Sequence, residues 1–197
     1  MKDYGFDRNN AVQDFERLPK DAYILKIMNV KFEEGAGDKS DKLKLQIDVA
    51  EGEYKDFYKK QYEADTREDK KWRGTFEIWC PKNDGSEKDS WTKKTFDTCL
   101  AAIEDSNPGF RFDGVHEETL KGKIVGGIVF REDYEKDGKV YEHYKFNRRL
   151  ITVDKVRNRT WKAPQDKILA QPTNTVTTNG DGMVPVNTSV DDTELPF

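Results

Sequence analysis

Between Lys42 and Val49 apolar and polar residues alternate without a break: Leu43, Leu45, Ile47 and Val49 against Lys42, Lys44, Gln46 and Asp48. A period of two predicts a half-buried strand. A turn signal at Leu18-Pro19-Lys20-Asp21 precedes a second such segment, Tyr23 to Phe32. Here Tyr23, Leu25 and Ile27 share one face, and Ile24, Met28, Val30 and Phe32 the other. The polar run Glu33 to Ser40 between these strands predicts a flexible connection. Tyr54 to Lys60, aromatic and basic, is expected to continue the sheet, and Gln61 to Lys71 to form a loop or weak helix. Trp72 to Trp79 reads as a strand closed by Cys80-Pro81.

The period then changes. Phe96, Cys99, Leu100 and Ile103 recur at helical spacing, so Trp91 to Glu104 predicts the one substantial helix. Asp89 or Ser90 could cap it, and Asn107-Pro108-Gly109 ends it. Ile124 to Phe130 is an apolar strand whose Gly126-Gly127 pair predicts a bend or bulge. Asp137-Gly138 signals a hairpin turn into a strand from Lys139 to Ile151. About five strands and one helix predict a mainly β domain, a small Greek-key barrel rather than a parallel sheet.

From Ala163 the composition turns to Gln, Pro, Thr, Asn, Gly and Val. Such a segment cannot build a core and is expected to be disordered. The expected organisation is a domain over 1–162, a disordered linker over 163–190 and an acidic tip over 191–197. The length, 197 residues, suits one domain plus a tail. No apolar run approaches the ~18 residues of a membrane span, and Met1 to Gly5 opens no secretory h-region. Cys80 and Cys99 lack CxxC spacing and read as two reduced thiols.

Net charge is −4, which argues against a nucleic-acid partner until its distribution is considered. The segment from Ala163 holds five acids and one base, so the preceding body is neutral. Within that body, Lys139 to Lys162 carries eight bases and two acids. A local basic stripe can bind phosphates because screening confines charges to a reach of roughly 8–10 Å.

Rings are interleaved with those bases. On a continuous strand Lys139, Tyr141, His143, Lys145, Asn147 and Arg149 fall on one face, and Arg157, Arg159 and Trp161 could extend it. Cations for phosphates and flat rings for unstacked bases are what a single-strand groove requires. A second group of rings and bases spans Tyr54 to Trp79. Trp72, Phe76 and Ile78 share the parity of a core face, and Trp79 shares that of Arg73, Thr75 and Glu77. Tyr58, Tyr62 and Trp79 are the stacking candidates there, with Lys60 and Arg73 beside them. His116 and His143 stand outside any ligand spacing, and GxxxxGK[ST], GxSxG and HExxH are absent. Glu77 and Asp84 could hold Mg²⁺ for a nuclease, but ordinary surface charge accounts for them better. Neither an enzyme nor a cofactor is expected.

The chain ends Asp191-Asp192-Thr193-Glu194-Leu195-Pro196-Phe197. This end resembles the acidic C-terminal tip with which bacterial and phage single-stranded DNA-binding proteins recruit replication and repair enzymes. The runs Leu18 to Tyr23, Leu120-Lys121-Gly122-Lys123 and Asp137-Gly138-Lys139 are similar to a class of small phage-encoded proteins thought to be OB-folded and single-stranded DNA-binding. Lys20-Asp21 departs from that class, which has a small residue such as Gly after the Pro. The resemblance implies an OB-fold-like domain that binds single-stranded DNA during replication, recombination or repair. Asp191, Asp192, Glu194, Leu195, Pro196 and Phe197 would contact a replication or recombination partner. It also implies a phage or prophage origin and the cytoplasm of a bacterial host, with no membrane partner; homo-oligomerisation stays open. A protein-only replisome or recombination adaptor is the alternative.

Overall fold

The computed structural model describes residues 15–170. In chain order the elements are β1 (Ala22–Glu33), β2 (Lys42–Val49), α1 (Phe57–Ala64), β3 (Thr75–Trp79), α2 (Glu87–Ser106), β4 (Ile124–Arg131), β5 (Tyr134–Lys136), β6 (Lys139–Tyr141), β7 (Tyr144–Phe146) and α3 (Val153–Arg157). A 3-10 turn over Glu117–Leu120 precedes β4. The main sheet is antiparallel, in the order β3-β2-β1-β4-β7, and β5 and β6 form a separate hairpin. Three meandering strands, a helix, and two strands that return beside the first make a nearly closed five-stranded barrel of OB-like form.

The alternation of β2 is realised: Leu43, Leu45, Ile47 and Val49 are all buried. In β1 the pairing shifts between Ile27 and Asn29, a bulge that breaks the simple two-face pattern. Tyr23, Ile24, Leu25 and Ile27 are buried, Val30 packs on the core, and Met28 and Phe32 are exposed. The long helix α2 lays Cys99, Leu100, Ala102 and Ile103 on the barrel, and the 3-10 turn adds Leu120. Its cap is neither expected residue: the Ser86 side chain accepts from the Asp89 N–H at 3.1 Å. Asp89 is buried and accepts from the Lys82 N–H at 2.6 Å, tying the preceding loop to the helix.

Two expected elements differ. Tyr54 to Lys60 does not continue the sheet but enters α1. That helix has no cap of its own; Asp48 of β2 accepts from the N–H groups of Tyr58 at 2.9 Å and Lys59 at 3.1 Å. A cap supplied from another strand leaves no local sequence signal. Lys139 to Ile151 is not one strand. Asp137 and Gly138 take φ of 54° and 69°, the two-residue turn of a tight hairpin, and β6 pairs only with β5. The chain breaks at Glu142-His143, and β7 pairs with β4 instead. The alternation assumed across the stripe therefore does not hold.

Gly126 and Gly127 make no bulge, since β4 pairs with β1 in continuous register from Ile124 to Ile128. They allow close approach. A Cβ on Gly126 would sit 2.7 Å from the side chains of both Ile151 and Val156.

Of the expected linker, residues 163–170 are described. Lys167 bridges to Glu132 in parallel, and Asp133 accepts from the Leu169 N–H at 3.3 Å. The rest of the linker, the tip and the polar residues 1–14 lie outside the described residues.

Candidate functional site

The two edges of the sheet, β3 and β7, face each other without pairing. Alternating antiparallel neighbours leave them running in the same direction. Phe76 and Phe146 meet across this seam edge to face, with ring centroids 6.5 Å apart. Each end of the seam opens into a cavity.

The cavity at the Arg73 end has a volume of about 400 Å³. Tyr58 of α1, Arg73 ahead of β3, and His143 and Lys145 around the start of β7 all line it. These four nominated residues come from three separate stretches of sequence and are brought together only by barrel closure. Tyr58 is half-buried, edge-on to Phe57 at 5.2 Å, and burial raises its phenol well above the usual range. It therefore stays a neutral ring at physiological pH.

The cations here already have company. Arg73 lies 3.9 Å from Asp65, and its guanidinium sits 3.6 Å from the centre of the Phe15 ring. Asp65 is chiefly engaged by Arg67, with contacts of 2.9 and 2.6 Å, which hold its carboxyl down at about 2. Lys145 pairs with Glu132, which also takes Lys167 at 2.7 Å, and the two lysines lower the Glu132 carboxyl to about 2. Arg131 grips Asp133 at 2.6 and 2.9 Å and Glu142 at 2.8 Å, which clamps the root of the β5–β6 hairpin. Beyond that root Tyr134 and Tyr141 stack at 5.5 Å, with His143 edge-on to Tyr134 at 5.9 Å. Lys139 is exposed at the hairpin turn.

At the other end of the seam lies a cavity of about 470 Å³ between β3, α2 and the loop after β1. Trp79, 42% exposed, faces it as its strand parity predicted. So does Trp91, which sequence reasoning missed because it sits beside, not on, the helical core stripe. Arg149 is not on the hairpin face but over the Trp91 ring, 4.9 Å from its centre.

Other nominated residues do not join either cavity. Lys60 is exposed on α1, and the Tyr62 ring packs 5.9 Å from Trp72 with the Lys70 ammonium 4.7 Å from its centre. Arg157 lies on α3 and pairs with Glu51 at 2.7 Å. Arg159 and Trp161 line a third cavity of about 370 Å³ with Asp21, Glu51 and Glu53, an acidic surrounding unsuited to phosphate. Arg157, Arg159 and Trp161 thus line neither of the two cavities at the seam.

Among the described residues no three His, Cys, Asp or Glu side chains cluster as a metal site requires. His116 pairs instead with Asp113 at 2.5 Å. No described helix is long and apolar enough to cross a membrane. Neither a family model nor a curated protein matches the chain.

Proposed function

We propose that this protein binds single-stranded DNA along the β3–β7 seam, with little sequence preference, and recruits replication, recombination or repair enzymes through its C-terminal tip. The observation that carries this is the convergence of Tyr58, Arg73, His143 and Lys145 on one cavity beside an unpaired seam of the barrel. Cations neutralise phosphates there, and rings accept unstacked bases; any base can stack because each has a π-face. The Tyr134–Tyr141 stack on the clamped hairpin offers a further flat surface beside the same cavity. Asp191, Asp192, Glu194 and Leu195-Pro196-Phe197 supply charge, an apolar ring and the terminal carboxylate for a basic, apolar pocket on a partner.

Gel shifts with labelled single strands and the matching duplex, at two salt concentrations, test the proposal. A preference for single strands that weakens with salt is expected. Equal affinity for the two forms contradicts a stacking groove, and no binding to either favours the protein-only adaptor.

A further inference from the structure

Trp91 is the most exposed aromatic side chain among the described residues, at 59%. It belongs to a face of α2 made by Lys88, Trp91, Thr92 and Thr95, which repeat at i, i+3, i+4 and i+7. Apart from Trp91 this face is polar, whereas packing on a core is the role of an apolar stripe. In α2 that role falls to Cys99, Leu100, Ala102 and Ile103, and the Trp91 stripe borders the open 470 Å³ cleft instead. Trp79 of β3 borders the same cleft, so two indoles from distant parts of the chain share it.

Basic side chains outnumber acidic ones around these rings. Arg149 lies over Trp91 at 4.9 Å and Lys42 over Trp79 at 5.4 Å. Among the described residues Arg148, Arg149, Lys39 and Lys88 make no ion pair with an acid. Of the two acids that line the cleft, Asp38 and Glu77, the second is bound to Lys42 at 2.6 Å. A ligand with flat apolar faces and a negative backbone complements this surface. The cleft also continues the seam: Arg73 lies just ahead of β3 and Trp79 ends it, roughly 20 Å apart if that stretch of chain is extended.

We infer that the Trp79–Trp91 cleft is a second subsite for the same single nucleic-acid strand, carrying it off the barrel and onto α2. This rests on the proposed single-strand binding and extends it. The two indoles are stacking platforms, and Arg148, Arg149, Lys39 and Lys88 take the phosphates between them.

The test uses the full-length protein and a twenty-nucleotide oligo-dT, reading affinity and the number of nucleotides occluded. Trp91→Ala should weaken binding about tenfold, the scale of one lost base–ring stack, and shorten the occluded length. Trp91→Phe should restore most of both. Arg149→Ala should make the slope of log K against log salt shallower by roughly 0.7. If Trp91→Ala and Arg149→Ala bind like the parent while Arg73→Ala binds weakly, the strand ends on the barrel; the inference fails and the proposed function stands. Absence of oligo-dT binding by the parent protein defeats both. A synthetic Asp191–Phe197 peptide that protects Trp91 from quenching, with no response to oligo-dT, would assign the cleft to the tail and overturn the inference.

Discussion

Arg73 is held in place before any ligand arrives. Phe15 lies on its guanidinium and Asp65 stands 3.9 Å away, so the side chain is ordered without being neutralised at close range. Lys145, by contrast, is already paired with Glu132. The two cations should therefore respond differently to substitution. Arg73→Ala is expected to make the salt dependence of single-strand binding shallower by roughly 0.7 in log K per log salt, one phosphate's share. Lys145→Ala should change that slope less and lower folding stability as well, because Glu132 loses a partner. Equal slopes for both variants and the parent would remove the Arg73 cavity from the strand's path. Asp65 makes a second prediction. Its carboxyl falls from an ordinary 3.8 to about 2 because the folded state favours the ionised form beside Arg67. The stability this contributes is fully present above the unfolded value and is lost as pH drops toward about 2. Urea unfolding of the parent at pH 5, 4, 3 and 2 should show that loss, and Asp65→Asn should flatten this part of the profile. Identical profiles would mean the Asp65–Arg67 pair does not form in solution.

Where strands cross closely, single atoms matter. Gly126 sits under Ile151 and Val156, and its backbone bonds to Ile151 in both directions at 2.8 and 2.9 Å. Gly126→Ala should cost about 1–3 kcal/mol by overpacking, seen as a lower urea midpoint at unchanged m-value. An unchanged midpoint would mean that α3 and the Ile151 segment do not pack on β4 as described. The same contrast shows what was legible at this scale. Period-two alternation in β2 and the helical stripe of α2 were readable because each buries one face, and burial writes itself into the sequence. Contacts across the fold were not. The cap of α1 comes from Asp48, the crowding at Gly126 from Ile151 and Val156, and the bulge in β1 shows only in its pairing with β2. The stripe from Lys139 was legible as basic and aromatic, yet its break at Glu142-His143 was not. Once it breaks, Tyr141 belongs to the hairpin, Lys145 to the seam and Arg149 to α2's side.

On the scale of the whole molecule the barrel leaves one seam unpaired and places a ring-and-cation cavity at each of its ends. Tyr58, Arg73, His143 and Lys145 were recognisable as candidates from residue type; that they meet was not, because closure of the barrel decides it. Trp91 carries no such signal, because it lies off the helical core stripe and its partners, Trp79 and Arg149, are remote in sequence. The tip adds a prediction about the chain as a whole. Truncation after Val190 removes three acids and the Leu-Pro-Phe end. Single-strand binding should be unchanged or tighter, most visibly at low salt, where the Debye length is roughly 30 Å. Capture of replication proteins in pull-downs should be lost, and one residue added after Phe197 should harm it nearly as much as Phe197→Ala. Recovery of the same proteins with the truncated chain would remove the tip as a recruiting signal. The central claim, that unstacked bases lie against this protein's rings, is most directly tested by intrinsic fluorescence, since the chain has four Trp and eight Tyr. Titration with oligo-dT at moderate salt should give a saturable quench, weaker in Trp79→Phe and absent with equal nucleotide concentrations of duplex. A fluorescence signal indifferent to oligo-dT, or one quenched equally by duplex, would contradict it.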